Sequence, residues 1–413
     1  MKGLYRLVNN SELNCADIIK SYRKGLIAYS LTQSLPDKKQ YYYLFQDSTV
    51  GNYPTRQMDL GYLQTGSDNG VLIHNGILTD NHYVPLGLPI QEFIQRDRDD
   101  YGKRHQRHLR PFEEKESAKW IEAIDFARKY GRKTGISVVQ VADKEADVAE
   151  VFNYALTHRQ LFIINGRHDR KLKNSTQTLK PYLQSLTPGG IVERSLLDAK
   201  GKAHLCECQI TFAKVDLQDL IKPIYVLTLQ QLQPIKGQDL AHWMILTNVP
   251  VKTLAEAVAI IDTYTRRWTT CEDFHKCLKT GCSIQQRQLQ SPQALFNTIS
   301  LLSLIAIGLL RTRYLALKEH AQKTTNHLIN ELLSQDELMM ADIAADKYLM
   351  PIDLTFAQKH TNLWFMLLLA RMGGHQGIKQ AGMPGWQTIW KGWIYFQALV
   401  DGLNMSKNLF LQK

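Results

Sequence analysis

The chain has 413 residues, of which 44% are hydrophobic and 22% are charged, and its formal net charge is +11. This length and composition exclude a disordered chain and allow one large core or two smaller ones. The positive charge favours a polyanionic partner, although charge alone does not distinguish DNA from RNA or an acidic membrane. The longest apolar run, near residues 299–310, is shorter than the ~20 residues that cross a bilayer, so no membrane segment is expected.

The N-terminus and the cysteines indicate the compartment. The first residues lack the apolar core of a secretory signal. The six cysteines lack the spacing of a disulfide framework or of a tetrahedral zinc site. We therefore expect a reducing cytoplasm and no structural zinc.

The first part of the chain predicts helices followed by a β-meander. Residues 1–40 indicate one or two helices, broken at Pro36-Asp37. The aromatic run at 41–46 predicts a strand that delivers Asp47 to its C-terminal edge. Two further short strands are expected, at 70–74 and around 76–78, and a helix at 115–130.

A β-branched run at 135–142 predicts a strand that ends at Asp143 and leads into a helix at 144–152. A lone Asp at such a turn is most often an N-cap, so a structural role for Asp143 stays open beside a catalytic one. A further strand at 160–164 is expected to lead into the polar segment that begins at Asn165.

The segment 172–247 predicts a β-rich insertion, because β-prone pieces alternate there with Gly- and Pro-containing turns. The predicted strands are 191–196, 203–215, 224–229 and 242–247. Trp243 lies in the last of them, where core packing and a binding role are about equally expected.

The rest of the chain predicts helices separated by Pro351 and Gly373-Gly374. The expected helices are 292–318, 324–333, 336–348, 354–372 and 386–413.

The stretch 261–282 combines the pattern of a helix with unusual chemistry. Its apolar positions form one face, and Gly281 supplies a C-terminal stop. At about 100° per residue, Glu272, Lys276 and Lys279 fall within roughly 60° of one another. Such a group is either an ordinary solvated i,i+4 pair or a carboxylate and amines suited to a metal ion beside a phosphodiester.

Four separated motifs, which follow one another along the chain in the family's order, resemble those of bacterial insertion-sequence transposases with a Tyr-Arg-Glu-Lys signature. Gln46-Asp47-Ser48-Thr49 and Asp143-Lys144-Glu145-Ala146-Asp147 resemble the motifs of the first and second catalytic Asp. The signature itself is similar to Tyr264, Arg267, Glu272 and Lys279. Trp243 lies where the family carries a Trp that stacks a flipped base.

The resemblance implies an α/β fold with a ribonuclease-H-like mixed sheet, flanking helices, a β-rich insertion and an all-α C-terminal region. The implied regions are an N-terminal helical segment (1–40), a catalytic core (41–171 and 248–290), the insertion (172–247) and a dimerising helical domain (291–413).

The implied function is that of a cut-and-paste DNA transposase, located with the bacterial nucleoid in the cytoplasm. Asp47, Asp143 and Glu272 would hold two Mg²⁺ or Mn²⁺ ions for phosphoryl transfer, since such metals prefer carboxylate oxygens. The implied partners are double-stranded DNA and a second copy of the chain, with neither a membrane nor a nucleotide cofactor. The implied DNA-binding residues are Tyr264, Arg267, Lys276, Lys279, Arg167, Arg170 and Trp243.

The chain departs from the family pattern in three places. Four residues separate Arg267 from Glu272 where the family has three, so we predict a π-type irregularity or a break between them. Asn165 stands where the family usually has Arg. The family's N-terminal end-recognition segment has no counterpart before residue 1, so we expect this chain not to cut transposon ends efficiently on its own. The alternatives are a truncated or impaired relative that inhibits transposition, and a structure-specific nuclease.

Overall fold

The computed structural model describes residues 2–32, 40–55, 58–197, 202–322, 329 and 332–411. The break predicted at Pro36-Asp37 and most of the helix predicted at 324–333 lie outside these residues. The helices are α1 Lys2–Val8, α2 Cys15–Thr32, α3 Lys119–Thr134, α4 Ala149–Thr157, α5 Leu179–Ser185, α6 Leu254–Lys276, α7 Pro292–Gln322, α8 Gln335–Tyr348, α9 Pro351–Leu354, α10 Asn362–Met372, α11 Ile378–Ala381 and α12 Trp386–Leu411. The strands are β1 Tyr42–Asn52, β2 Gly70–Thr79, β3 Pro85–Ile94, β4 Val138–Ala142, β5 Leu161–Asn165, β6 Gly190–Leu197, β7 Ala203–Val215, β8 Ile224–Gln231 and β9 His242–Thr247.

All nine strands form one mixed sheet in the order β3-β2-β1-β4-β5-β9-β8-β7-β6. The first three strands are an antiparallel meander, and β4 and β5 run parallel to β1. The α/β class is therefore confirmed. The four strands predicted in the insertion are also confirmed, and they extend this same sheet through the antiparallel pairing of β9 with β5.

The sheet is covered by helices on both faces. Buried side chains of β1, β4 and β5 pack on one face against α6 and the C-terminal helices. The opposite face packs against α3, α4 and α5. Because side chains alternate along a strand, each strand that crosses the middle of the sheet presents successive residues to different helices.

Several strand predictions were wrong in their limits, and β3 was not predicted. The strand expected at 135–142 begins only at Val138. The strand at 41–46 continues to Asn52, because its antiparallel pairing with β2 runs on to Gly70, so Asp47 lies within β1 and not at its C-terminal edge. The two strands expected at 70–74 and 76–78 are one strand, β2. Gly76 does not break it: a Cβ there would lie 2.9 Å from the Cβ of Ile90, so this glycine allows β3 to approach closely.

The helices predicted at 292–318, 336–348 and 386–413 agree with α7, α8 and α12, whereas the one predicted at 354–372 does not. There α9 ends at Leu354, and α10 begins only after Thr361, whose side chain accepts the N–H of Trp364 and caps the new helix. Among the described residues, α7 is the one helix long and apolar enough to cross a membrane. Because 61% of its most apolar stretch is buried inside the structure, it has the burial of a core helix.

The packing of α12 on α10 makes a paired prediction. A Cβ at Gly392 would clash with the carbonyl oxygen of Leu369, whereas a Cβ at Gly402 of the same helix would meet nothing within 4 Å. We expect Gly392→Ala to lower the free energy of unfolding by about 1–3 kcal/mol or more through overpacking. Gly402→Ala should raise it by up to about 1 kcal/mol, since alanine favours a helix. Urea unfolding followed by circular dichroism measures both, and equal effects would contradict this account of the packing.

Candidate active site

Asp47 and Asp143 meet because β1 and β4 are adjacent and parallel. Phe45 and Val141 are opposed at the end of their parallel pairing, and both face α6. Alternation then puts Asp47, two residues beyond Phe45, on the same face. Asp143 lies two residues beyond Val141, directly after β4. The carboxyl ends of parallel strands are where α/β sheets commonly bind ligands.

Asp143 has the N-cap role that the sequence left open, and it also lies beside Asp47. Its side chain accepts the N–H of Glu145 at 2.9 Å, which is the N-cap contact. Burial raises the pKa of Asp143, and the negative charge of Asp47 raises it further, whereas the Glu145 N–H and the charge of Arg267 lower it. Asp143 is thus both a cap and a neighbour of Asp47, and two carboxylates in one site favour a nearby cation.

Arg267 supplies that cation in this structure. Its Nη1 lies 2.6 Å from Oδ2 of Asp47, and the residue is only 3% exposed. Its Nε is buried and has no hydrogen-bond partner among the described residues. The predicted phosphate contact of Arg267 stays a prediction, because the guanidinium here holds a carboxylate.

The irregularity predicted between Arg267 and Glu272 is wrong in position. Helix α6 is α-helical through Lys276, and the π-helical turn follows at Cys277–Gly281. In that turn the Cys282 N–H donates to the Cys277 carbonyl at 2.8 Å. The regular spacing before it keeps Arg267 directed at Asp47.

The same face of α6 carries Cys271 and His275, at i+4 and i+8 from Arg267. His275 Nε2 lies 3.2 Å from Nδ2 of Asn75, and Asn75 is opposite Asp47 in the β1–β2 register. The amide donates, so this ring nitrogen accepts the hydrogen bond. Burial raises the pKa of the fully buried Cys271 thiol, and the negative charge of Asp47 adds to that rise.

Glu272 lies on a different stripe of the helix. Its neighbours at i−4 and i+4 are Trp268, which is 59% exposed, and Lys276, which is exposed. Glu272 itself is half-buried. Burial lowers the pKa of Lys279, and the negative charge of Glu272 opposes this effect, so these two side chains interact electrostatically.

Lys119 joins the two Asp-bearing segments from the opposite face of the sheet. Its buried Nζ lies 3.1 Å from Ser48 Oγ and 3.1 Å from Glu145 Oε2. Ser48 also contacts Nδ1 of His74 at 3.1 Å. Lys119 was not predicted from the sequence, because nothing local distinguishes it from other lysines of α3.

The remaining predicted DNA-binding residues differ in accessibility. Arg167 is exposed, whereas the Arg170 side chain is buried, pairs with Asp147 and Asp219, and stacks over the Phe152 ring at 5.1 Å. The Trp243 ring packs edge-on against the Tyr264 ring with centroids 6.1 Å apart. The core-packing role expected for Trp243 is therefore present, and base stacking stays a prediction.

A cleft of about 1030 Å³ opens beside Lys119, Glu145 and Arg167. Acidic side chains outnumber basic ones among the described residues that line it. Burial and a hydrogen bond shared with Glu122 raise the pKa of one of them, Glu92, to about 9. The charge of this cleft does not favour a phosphate backbone.

A two-metal centre requires hard oxygen ligands that converge. Asp47 and Asp143 provide two such groups, but Asp47 forms an ion pair with Arg267. On α6, the residue midway between Arg267, which contacts Asp47, and His275, which contacts Asn75, is Cys271 and not a carboxylate. In the described part of the chain, no group of three or more His, Cys, Asp or Glu side chains is placed to hold a metal ion. The residues as folded therefore do not fit two Mg²⁺ or Mn²⁺ ions. No protein-family model matches the chain.

The buried His275 makes the stability dependent on pH. Burial lowers its pKa to about 4, and the charges of Lys279 and Arg267 act in the same direction, opposed by Asp47. The unfolded chain therefore binds this proton more readily, so the contribution of neutral His275 is present above pH 6.5 and is lost as the pH falls toward 4.

We expect wild-type protein to lose about 2 kcal/mol more than His275→Gln between pH 7.5 and pH 5. Glutamine can still accept the Asn75 hydrogen bond. Urea unfolding at the two pH values measures this difference. His168→Gln, at an exposed position, is the control and should follow wild type. An equal loss of stability in wild type and His275→Gln would show that His275 does not contribute to the pH dependence of the stability.

Proposed function

We propose that this chain is the core of a cut-and-paste DNA transposase of the kind it resembles, with a ribonuclease-H-like fold. The observation that carries the proposal is the meeting of Asp47 and Asp143 where the parallel pairing of β1 and β4 ends, beneath a helix that bears Tyr264 and Arg267. The mixed sheet with helices on both faces supports the fold. The net charge of +11 supports a polyanionic substrate.

The proposed substrate is duplex DNA. Arg167 and Lys276 are exposed and Lys279 is half-buried, so these cations are available to phosphates, which they would contact without reading sequence. The proposed setting is the bacterial cytoplasm, on the nucleoid. Pairing of two copies is supported by exposed apolar side chains on the C-terminal helices, namely Met339, Ile343, Ile394 and Tyr395.

A second candidate is a relative that binds DNA and pairs without cutting it. The observation that favours it is the Arg267–Asp47 ion pair, together with a cysteine where α6 crosses β1 and β2. Such a chain would act on transposition by forming mixed dimers with a complete transposase.

Three assays separate these functions. Both candidates predict binding of a short duplex with a dissociation constant of about 10⁻⁴–10⁻⁶ M at physiological salt, weakening as salt rises; a chain that does not bind would contradict both. Nicking of supercoiled plasmid in Mg²⁺ or Mn²⁺, lost in Asp47→Asn and Asp143→Asn, selects the first candidate. Joining of a cut end to a target separates a transposase from a structure-specific nuclease.

A further inference from the structure

We infer that residue 271, a cysteine in this chain, occupies the place of the third acidic ligand in the Asp47–Asp143 centre, and that Glu272 does not. The need for a third acid rests on the proposed function. Its location rests on the packing of α6 against the sheet.

Two contacts fix the face of α6 that meets the sheet. Arg267 contacts Asp47 on β1, and His275, eight residues later, contacts Asn75 on β2. Asp47 and Asn75 are direct partners in the β1–β2 register. Cys271 lies midway between the two contacting residues on a regular helix, so it faces the same point of the sheet, and it is fully buried there.

Glu272 is turned away from that point by about 100°, the rotation per residue of an α-helix. Its stripe runs from the exposed Trp268 to the exposed Lys276. A rotation of α6 that brought Glu272 onto the sheet would break the contact of His275 with Asn75 and move Arg267 away from Asp47. These two contacts therefore oppose such a rotation.

The π-helical turn explains how the chain accommodates its extra residue. Its hydrogen bond spans five residues, from the Cys282 N–H to the Cys277 carbonyl, where an α-helix spans four. The additional residue is therefore taken up after His275, and the spacing from Arg267 to residue 271 is that of the resembled signature. With this spacing, Cys271 stands at the position of the glutamate in the family signature.

This assignment predicts the donor set. A thiol beside two carboxylates is a poor partner for Mg²⁺, which prefers oxygen ligands. A carboxylate at position 271 would complete an all-oxygen set. The same result should follow from deleting Cys271, since Glu272 would then take the fourth position after Arg267.

The test is Mn²⁺ binding, measured by electron paramagnetic resonance of free Mn²⁺ and by the thermal shift that Mn²⁺ induces. Cys271→Glu and the Cys271 deletion should each bind Mn²⁺ at least about tenfold more tightly than wild type. Glu272→Gln should bind as wild type does. Two controls are Cys271→Ser, which keeps the size of the side chain, and deletion of Thr280, which shortens the π-helical turn without moving Glu272 relative to Arg267; neither should gain Mn²⁺ binding.

Tight Mn²⁺ binding by wild type that is lost in Glu272→Gln would overturn the inference, and so would the absence of any gain in both Cys271→Glu and the Cys271 deletion. The deletion covers the case in which a buried glutamate at 271 prevents folding, which circular dichroism would reveal. If the variants gain Mn²⁺ but the chain does not bind DNA, the proposed function fails while the placement of residue 271 stands.

Discussion

Asp147→Ala should lower the free energy of unfolding by about 3–5 kcal/mol, because it removes the buried carboxylate partner of Arg170 and leaves two backbone N–H groups without an acceptor. The Asp147 side chain is fully buried and pairs with Arg170. It also accepts the backbone N–H groups of Arg167 and His168 at 2.6 and 2.8 Å. Asp147 therefore ties the segment that follows Asp143 to the segment that follows β5. Urea unfolding monitored by circular dichroism measures the loss.

Removal of both charges is the control for this ion pair. Replacing Asp147 by leucine and Arg170 by methionine together should cost less than Asp147→Ala alone, since no unpaired charge remains buried. The Arg170 partner Asp219, which is 41% exposed at its side chain, should tolerate Asp219→Ala with a much smaller loss. A double variant that is less stable than Asp147→Ala would show that backbone contacts, and not the buried charge, dominate.

Arg267→Met should cost about 3 kcal/mol at neutral pH, because Asp47 and Asp143 would then share a largely buried site without a cation. The loss should shrink as the pH falls, since protonation of one carboxylate removes the repulsion between them. Adding Asp47→Asn to Arg267→Met should recover much of the stability, and the double-mutant cycle in urea unfolding measures the coupling. Independent, additive effects of the two substitutions would contradict the ion pair.

The sequence predicted every strand except β3 at least in part, and it placed Asp143 directly after β4, but Asp47 lies within β1 and not at its C-terminal edge. β-Branched and aromatic runs predicted the central residues of β1, β4 and the strands β6 to β9. Asp47 and Asp143 come directly after two of these runs in the sequence. It could not predict where β1 ends, because that is decided by pairing with β2, nor that residues 70–79 form one strand, because the role of Gly76 depends on the approach of Ile90.

The local sequence pattern could not determine which residues of α6 face the sheet. An extra residue between Arg267 and Lys279 can be taken up anywhere in the helix, and the position predicted from the family signature, between Arg267 and Glu272, was wrong. The choice is made by tertiary contacts, those of Arg267 with Asp47 and of His275 with Asn75, which hold the helix regular and leave the π-helical turn to follow. Lys119 was not predicted for a similar reason, since its partners Ser48 and Glu145 are distant in sequence.

The central claim is that the Asp47–Asp143 centre acts on DNA phosphodiesters, and plasmid nicking tests it most directly. Supercoiled plasmid is incubated in Mn²⁺ with the chain lacking Cys271, with wild type, and with the deletion variant that also carries Asp47→Asn or Asp143→Asn. We expect more nicked circles with the deletion variant than with wild type, which should nick weakly, and none once either aspartate is replaced. Nicking that persists without Asp47 and Asp143, or its absence from a folded deletion variant that binds Mn²⁺, would contradict the claim.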